Sequence, residues 1–118
     1  MKILVVDDDK DQLFIRGMLL RENGFDAIEA SDSGSAVAQA AAYKPECALV
    51  DLRLPTEDAG LRLIRDLKAL DAAMHLFVLT GAHATRLAVL PEKALIDEIV
   101  LKGSPSAELI RKLKAIAQ

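Results

Sequence analysis

Aromatic residues are scarce in this chain: there is no tryptophan, and Tyr43, Phe14, Phe25 and Phe77 are all that 118 residues contain. That scarcity argues against a trade in stacking on nucleic-acid bases. Basic charge is also short, with 15 Lys and Arg against 18 Asp and Glu for a net charge of −3. Nonspecific nucleic-acid binding needs a basic surface that displaces counterions from phosphates, so any DNA contact would have to come from elsewhere. Cysteine occurs once, at Cys47, which rules out an internal disulfide. Its place at the head of the apolar run CALVD marks a small core residue rather than a reactive thiol, and a reducing compartment fits. Long apolar runs are missing: four apolar residues separate Lys2 from the first acid, too few for a signal-peptide core, and no run approaches membrane-spanning length. The reading is a cytoplasmic protein with no membrane part. Residues 1–118 make one domain's worth, long enough to bury a core without disulfides or metal and too short for a second domain.

What is present is a regular alternation. Five runs rich in Val, Ile and Leu recur at KILVVD (2–7), DAIEA (26–30), CALVDL (47–52), HLFVLT (75–80) and EIVLK (98–102). Three are continuously apolar, as parallel strands covered on both faces should be. Between them, Leu13, Ile15, Leu19 and Leu20 predict a first helical stripe that stops at Asn23-Gly24, and an Ala-rich second helix runs over 33–43 and ends before Pro45. Leu61, Ile64 and Leu67 carry a third. A fourth segment, 85–90, makes about two turns before Pro91, which no helix interior accommodates, so it is expected to be short or broken. The last helix is expected to open with Ser104 as N-cap and Pro105 at its first position, burying Leu109, Ile110, Leu113 and Ile116. Strand and helix alternating throughout imply an α/β fold: a doubly wound parallel sheet whose ligands bind beyond the carboxyl ends of the strands.

The polar residues of interest all follow predicted strands: Asp7 and Asp8 after the first, Asp51 after the third, Thr80 after the fourth and Lys102 after the fifth. In a parallel sheet those ends share one edge. Each taken alone has a plain explanation, since acids after strands cap helices and strand-end lysines are usually solvated. Together they converge from distant positions. Clustered carboxylates repel unless a cation compensates, and Mg²⁺ takes one or two of them while leaving sites for water and phosphate oxygens. A carboxylate can itself act as nucleophile toward a phosphoryl group. Asp51, alone at its strand end, suits that role, with Lys102 pairing with a phosphoryl oxygen and Thr80 donating to another.

The motifs VVDDD, VDLRLP, LTGA and VLKGSP, in that order and spacing over essentially the whole chain, resemble the receiver domain of bacterial two-component response regulators, which is CheY-like. The resemblance implies a flavodoxin-like five-stranded sheet in the order 2-1-3-4-5, flanked by helices. It implies Asp51 as phospho-acceptor, and Mg²⁺ bound by Asp8, Asp51 and the Arg53 backbone carbonyl, with Asp7 holding the metal through water. Thr80 and Lys102 would bind the phosphoryl group, Gly81 would let the loop close on it, and Arg53 and Ala82 occupy positions that tune its lifetime. The implied donor is a histidine kinase or a histidine phosphotransfer protein. The implied readout is a downstream protein or output domain on the face of the fourth helix, fifth strand and fifth helix, or a phosphorylation-dependent homodimer. Such a domain catalyses its own phosphorylation and dephosphorylation and is not otherwise an enzyme. Asp9 and Asp11 fall outside the motif and are assigned to the local potential and the start of the first helix.

The chain also departs from that family. Ile99 stands three before Lys102 where an aromatic is usual; Gly103 follows Lys102 where proline is usual; the PTEDAG loop is one residue longer; and Pro91 interrupts the fourth helix. The expectation is a domain competent for phosphorylation that lacks the usual Thr–aromatic coupling. His83 reads as a loop residue near the site and His75 as inert at the far end of the sheet. Arg62, Arg65, Lys68, Arg111, Lys112 and Lys114 read as solvated helix faces, and Phe14 with Met18 as a core or surface pair with partner contact as the alternative. Three rivals remain. A haloacid dehalogenase-type phosphatase would use Asp7 in the Asp7-x-Asp9 pattern, but only Glu108 is left for its later acidic motif and Asp51 is unexplained. An FMN binder would want hydroxyls and glycines after the first strand in place of four acids. A degenerate receiver serving only as an interaction module would not need the complete set of site residues.

Overall fold

The computed structural model describes residues 1–81, 87 and 89–117. Strands β1 (Lys2–Val6), β2 (Asp26–Ala30), β3 (Cys47–Asp51), β4 (His75–Thr80) and β5 (Glu98–Leu101) form one parallel sheet in the order β2-β1-β3-β4-β5. Among the described residues four α-helices accompany it: α1 (Lys10–Glu22), α2 (Ser33–Tyr43), α3 (Glu57–Leu70) and α4 (Ser106–Ala117).

Side-chain alternation along the strands divides the apolar residues into two layers. Leu4, Val6, Ala48, Val50, Leu76 and Val78 face the layer filled from α2 and α3 by Ala36, Ala40, Leu61, Leu63, Ile64 and Leu67. Ile3, Val5, Cys47, Leu49, Phe77 and Leu79 face the layer filled from α1 and α4 by Leu13, Leu20, Leu109, Ile110 and Leu113. A strand buried on both sides has no solvent face on which to place a polar residue, which is why β1 and β3 read as unbroken apolar runs. Cys47 is fully buried among them, and burial pushes its thiol up to about 12, with Asp97 and Glu46 adding to the effect. It is inert core.

The helix ends follow from short polar side chains. Asp9 caps α1, its Oδ1 accepting the Asp11 and Gln12 N–H groups at 3.0 and 3.2 Å. Asp32 caps α2 by accepting from Ser35, and Thr56 caps α3 by accepting from Ala59. Capping of this kind contributes about 1 kcal/mol per helix. α1 stops where Asn23-Gly24 predicts, with Gly24 at φ +88°.

Three details differ from the sequence-based expectation. Ile15 is 52% exposed; the inward stripe of α1 is Leu13, Gly17 and Leu20, and Phe14, Ile15 and Met18 lie together on the outside as a surface group. α4 begins at Ser106, one residue after Pro105. Pro91 interrupts no helix interior but opens a 3₁₀-helix, Pro91–Leu95, where its missing N–H costs nothing. The expected fourth helix lies mostly outside the described residues, as do His83 and Ala82; of that segment Leu87 is fully buried in the α2/α3 layer.

α3 is held close to the end of β3 by a glycine. A Cβ on Gly60 would stand 1.8 Å from the Leu52 carbonyl oxygen, a backbone atom that cannot turn aside. Gly17 is a contrast: there an added Cβ meets the tip of the Glu29 side chain, which can swing away. Gly60→Ala is therefore expected to destabilise the protein by about 1–3 kcal/mol or more, and Gly17→Ala to change stability by less than about 1 kcal/mol. Urea unfolding of the two variants checks this; equal losses would contradict it.

Candidate functional site

The strand order reverses between β1 and β3, and the crevice beyond that switch point is where a doubly wound sheet offers a ligand site. Asp7 follows β1, hydrogen-bonded through its N–H to the Ala30 carbonyl at the end of β2, and Asp51 ends the adjacent β3 in register with Leu79. Asp8 stands next to Asp7 on the exposed side. One carboxylate oxygen from each of Asp7, Asp8 and Asp51 lies within 4.8 Å of the others, with Asp7 and Asp51 buried and Asp8 exposed.

Thr80 is buried at the end of β4, in register with Leu101, and its carbonyl accepts the Lys102 N–H at 2.8 Å. The Lys102 ammonium reaches across to Asp51, Nζ to Oδ2 3.0 Å. Arg53 is exposed, and its N–H donates to Asp51 Oδ1 at 3.2 Å. The chain leaves Lys102 through a turn closed by the Ser104 N–H on the Leu101 carbonyl at 3.1 Å, with Gly103 at φ +92°. Proline cannot adopt that angle, so the absence of proline after Lys102 has a backbone reason.

All the strand-end residues singled out from the sequence are thus brought to one edge. The sequence reading did not find Arg16. From α1 its guanidinium donates through Nη1 to Asp7 Oδ2, while Asp7 Oδ1 accepts the Asp9 N–H at 2.9 Å. The clue was helical spacing: Arg16 falls three residues after Leu13 and four before Leu20, beside the buried stripe. Asp9, spent on capping α1, is not a second site acid, which counts against the Asp7-x-Asp9 phosphatase reading.

The donor set consists only of hard carboxylate oxygens in a cluster too tight for three free charges, and this fits Mg²⁺. The Asp51 carboxyl is held above its ordinary value. Burial is the main cause; the hydrogen bond from Lys102 opposes it, and the Asp7 charge adds to it.

A doubly wound parallel sheet with acids gathered at its switch point and a lysine on one of them defines a class of α/β domain whose ligand edge is acidic. Residues 3–114 match the family described as the response regulator receiver domain, and the chain belongs to that family. It is 30% identical over 115 residues to the transcriptional regulatory protein PrrA of Mycobacterium bovis, across 98% of this chain and 49% of that protein. It is 32% identical over 114 residues to the DNA-binding response regulator MtrA of Mycolicibacterium smegmatis, across 97% of this chain and 49% of that protein. The chain spans about half the length of the curated relatives it matches. A CheY-like response regulator receiver domain protein from Methanospirillum hungatei superposes with a TM-score of 0.86 at 26% identity, over 97% of this chain and 90% of that one. The fold is CheY-like, and the chain is a signalling domain of two-component systems rather than a conventional enzyme.

The raised carboxyl of Asp51 fixes the sign of a pH effect. Between its ordinary value and the raised one, the folded protein keeps a proton that the unfolded chain has lost, so stability falls as pH rises through that window. Above it, ionised Asp51 remains a net cost. Asp51→Asn is expected to raise the metal-free thermal midpoint at pH 7 by a few degrees, with the gain fading toward pH 4. Thermal unfolding followed by circular dichroism across that range is the check; a lower midpoint at pH 7 would mean that the Lys102 pair outweighs burial.

Proposed function

We propose that residues 1–118 act as one receiver domain that takes a phosphoryl group from a histidine kinase or histidine phosphotransfer protein onto Asp51, in a Mg²⁺-dependent reaction. The observation that carries this reading is the Lys102 ammonium 3.0 Å from Asp51 Oδ2, beside two further carboxylates within 4.8 Å. A buried aspartate that meets a lysine ammonium at the ligand edge of the sheet supports a nucleophilic role.

Asp51 attacks phosphorus as the carboxylate. The P–N bond of the donor phosphohistidine breaks, its electron pair stays on the imidazole nitrogen, and a P–O bond to Asp51 forms. Lys102, already at the attacking carboxylate, pairs with a phosphoryl oxygen after transfer, and the Thr80 hydroxyl donates to another. Asp7, Asp8, Asp51 and the Arg53 carbonyl would hold Mg²⁺, which when bound supplies the positive charge that offsets the phosphoryl oxygens. Hydrolysis of the acyl phosphate returns the carboxylate and inorganic phosphate.

The signal passes to a downstream protein or output domain, or into a phosphorylation-dependent homodimer. The net charge of −3 supports leaving any DNA contact to other parts of a regulator. A cytoplasmic setting is supported by the single buried thiol and by the finding that, among the described residues, no helix is long and apolar enough to cross a membrane. Ile99 is half-buried against the α2/α3 layer that also holds Leu87, which supports a switch that works without an inward-swinging aromatic.

Incubation with Mg²⁺ and acetyl phosphate is expected to add one phosphoryl mass, which Asp51→Asn abolishes and chelation of the metal prevents. Retention of the added mass in Asp51→Asn would move the acceptor elsewhere. Beryllofluoride, a stand-in for the phosphoryl group, is expected to shift amide resonances around Thr80 and Lys102 while leaving Ile99 in its free-state environment. A large change in the Ile99 side chain would restore the usual coupling.

A further inference from the structure

We propose that Arg16 is a resident counter-cation of the acidic cluster, which Mg²⁺ must displace or tolerate, and that it thereby sets the metal affinity of the site. The proposal rests on the reading of Asp7, Asp8 and Asp51 as the magnesium seat.

Asp7 is the most buried member of the cluster, and each of its oxygens already accepts a hydrogen bond: Oδ1 from the Asp9 N–H, Oδ2 from Arg16. The Arg16 side chain is itself only 16% exposed, so solvent screens the pair weakly. A divalent ion entering the cluster meets a fixed positive charge a few ångströms away and competes for the same carboxylate oxygen. Both effects weaken metal binding. Conversely, without metal Arg16 relieves part of the repulsion among three acids held within 4.8 Å. The device keeps the metal-free fold tolerable at the expense of a weaker metal site.

Nothing in helix formation asks for arginine here. Arg16 sits beside the buried stripe of α1, between Leu13 and Leu20 in sequence, with its side chain largely enclosed. Its neighbour on the same helix, Arg21, is paired differently, with Glu29 of β2 at 2.8 Å, away from the cluster. Arg16 alone of the two is aimed at the site.

The test is Mg²⁺ titration of the full chain by isothermal calorimetry, comparing wild type with Arg16→Gln, which keeps a neutral donor for Asp7, and Arg16→Lys, which keeps the charge. Arg16→Gln is expected to bind Mg²⁺ about tenfold more tightly, because removing a fixed cation a few ångströms from the incoming ion relieves their repulsion. Arg16→Lys is expected to stay near wild type. In parallel, thermal unfolding of Arg16→Gln should show a lower metal-free midpoint and a larger upward shift on adding Mg²⁺ than wild type, a comparison readable even in a less stable variant. Unchanged or weaker affinity in Arg16→Gln overturns the proposal, leaving Arg16 as an orienting partner of Asp7. Equal tightening in Arg16→Lys overturns the charge argument. Absence of saturable Mg²⁺ binding in all three proteins removes the magnesium seat itself, and the proposal with it.

Discussion

The mutual repulsion of three carboxylates is the constraint around which this molecule is arranged. Asp7 and Asp51 end neighbouring strands of a parallel sheet, and such strands are fixed in register by their ladder and clamped on both faces by helices. The acids therefore cannot relax by moving apart. Two remedies are open to the fold: neutralise the charges from within, or hold a cation. Lys102 does the first at Asp51 and Arg16 at Asp7, and the tight oxygen cluster suits the second. Local conflict of this kind, in a chain whose patterning, caps and core agree everywhere else, is what a functional site looks like physically.

The scaffold earns its rigidity from small residues as much as large ones. Ala36, Ala40 and Ala48 let α2 approach the sheet, and Gly60 lets α3 approach the Leu52 carbonyl just beyond Asp51. An acid that must act on an incoming group needs a carboxylate whose position is set by more than its own rotamer. Asp51 has that support on three sides: the Arg53 N–H, the Lys102 ammonium and the backbone bond from Leu52 N–H to the Leu79 carbonyl.

Much of this was legible in the sequence, for identifiable reasons. Buried parallel strands leave unbroken Val, Ile and Leu runs, so β2 and β4 were bounded to the residue and the other three strands to within one. The strand-end acids, Thr80 and Lys102 stood out because parallel topology collects strand ends along one edge. Arg16 did not stand out, since a helix reads as amphipathic whether an arginine beside its buried stripe meets solvent or an acid nine residues earlier in the chain. Only the folded distance to Asp7 separates the two cases. Ile15 was misassigned because apolar identity and burial are linked in one direction only: an exposed Ile is ordinary, and the inward place on that turn belongs to Gly17, which a hydrophobic count overlooks. Gly60 is invisible for the opposite reason, since its role is the absence of an atom.

The two cations at the site differ in a way that assigns them different tasks. Lys102 follows β5 in a glycine turn, its side chain is 40% exposed, and its ammonium is a point charge on a flexible stem. In the proposed phosphoryl transfer it would follow negative charge from Asp51 onto a phosphoryl oxygen without disturbing the backbone that carries it. Arg16 projects from the middle of a helix, is largely enclosed, and contacts the carboxylate that is already committed to the Asp9 N–H. Moving it exposes a buried acid. Under that proposal one cation travels with the transferred group and the other stays with the resting cluster, and the division follows from the element on which each residue sits.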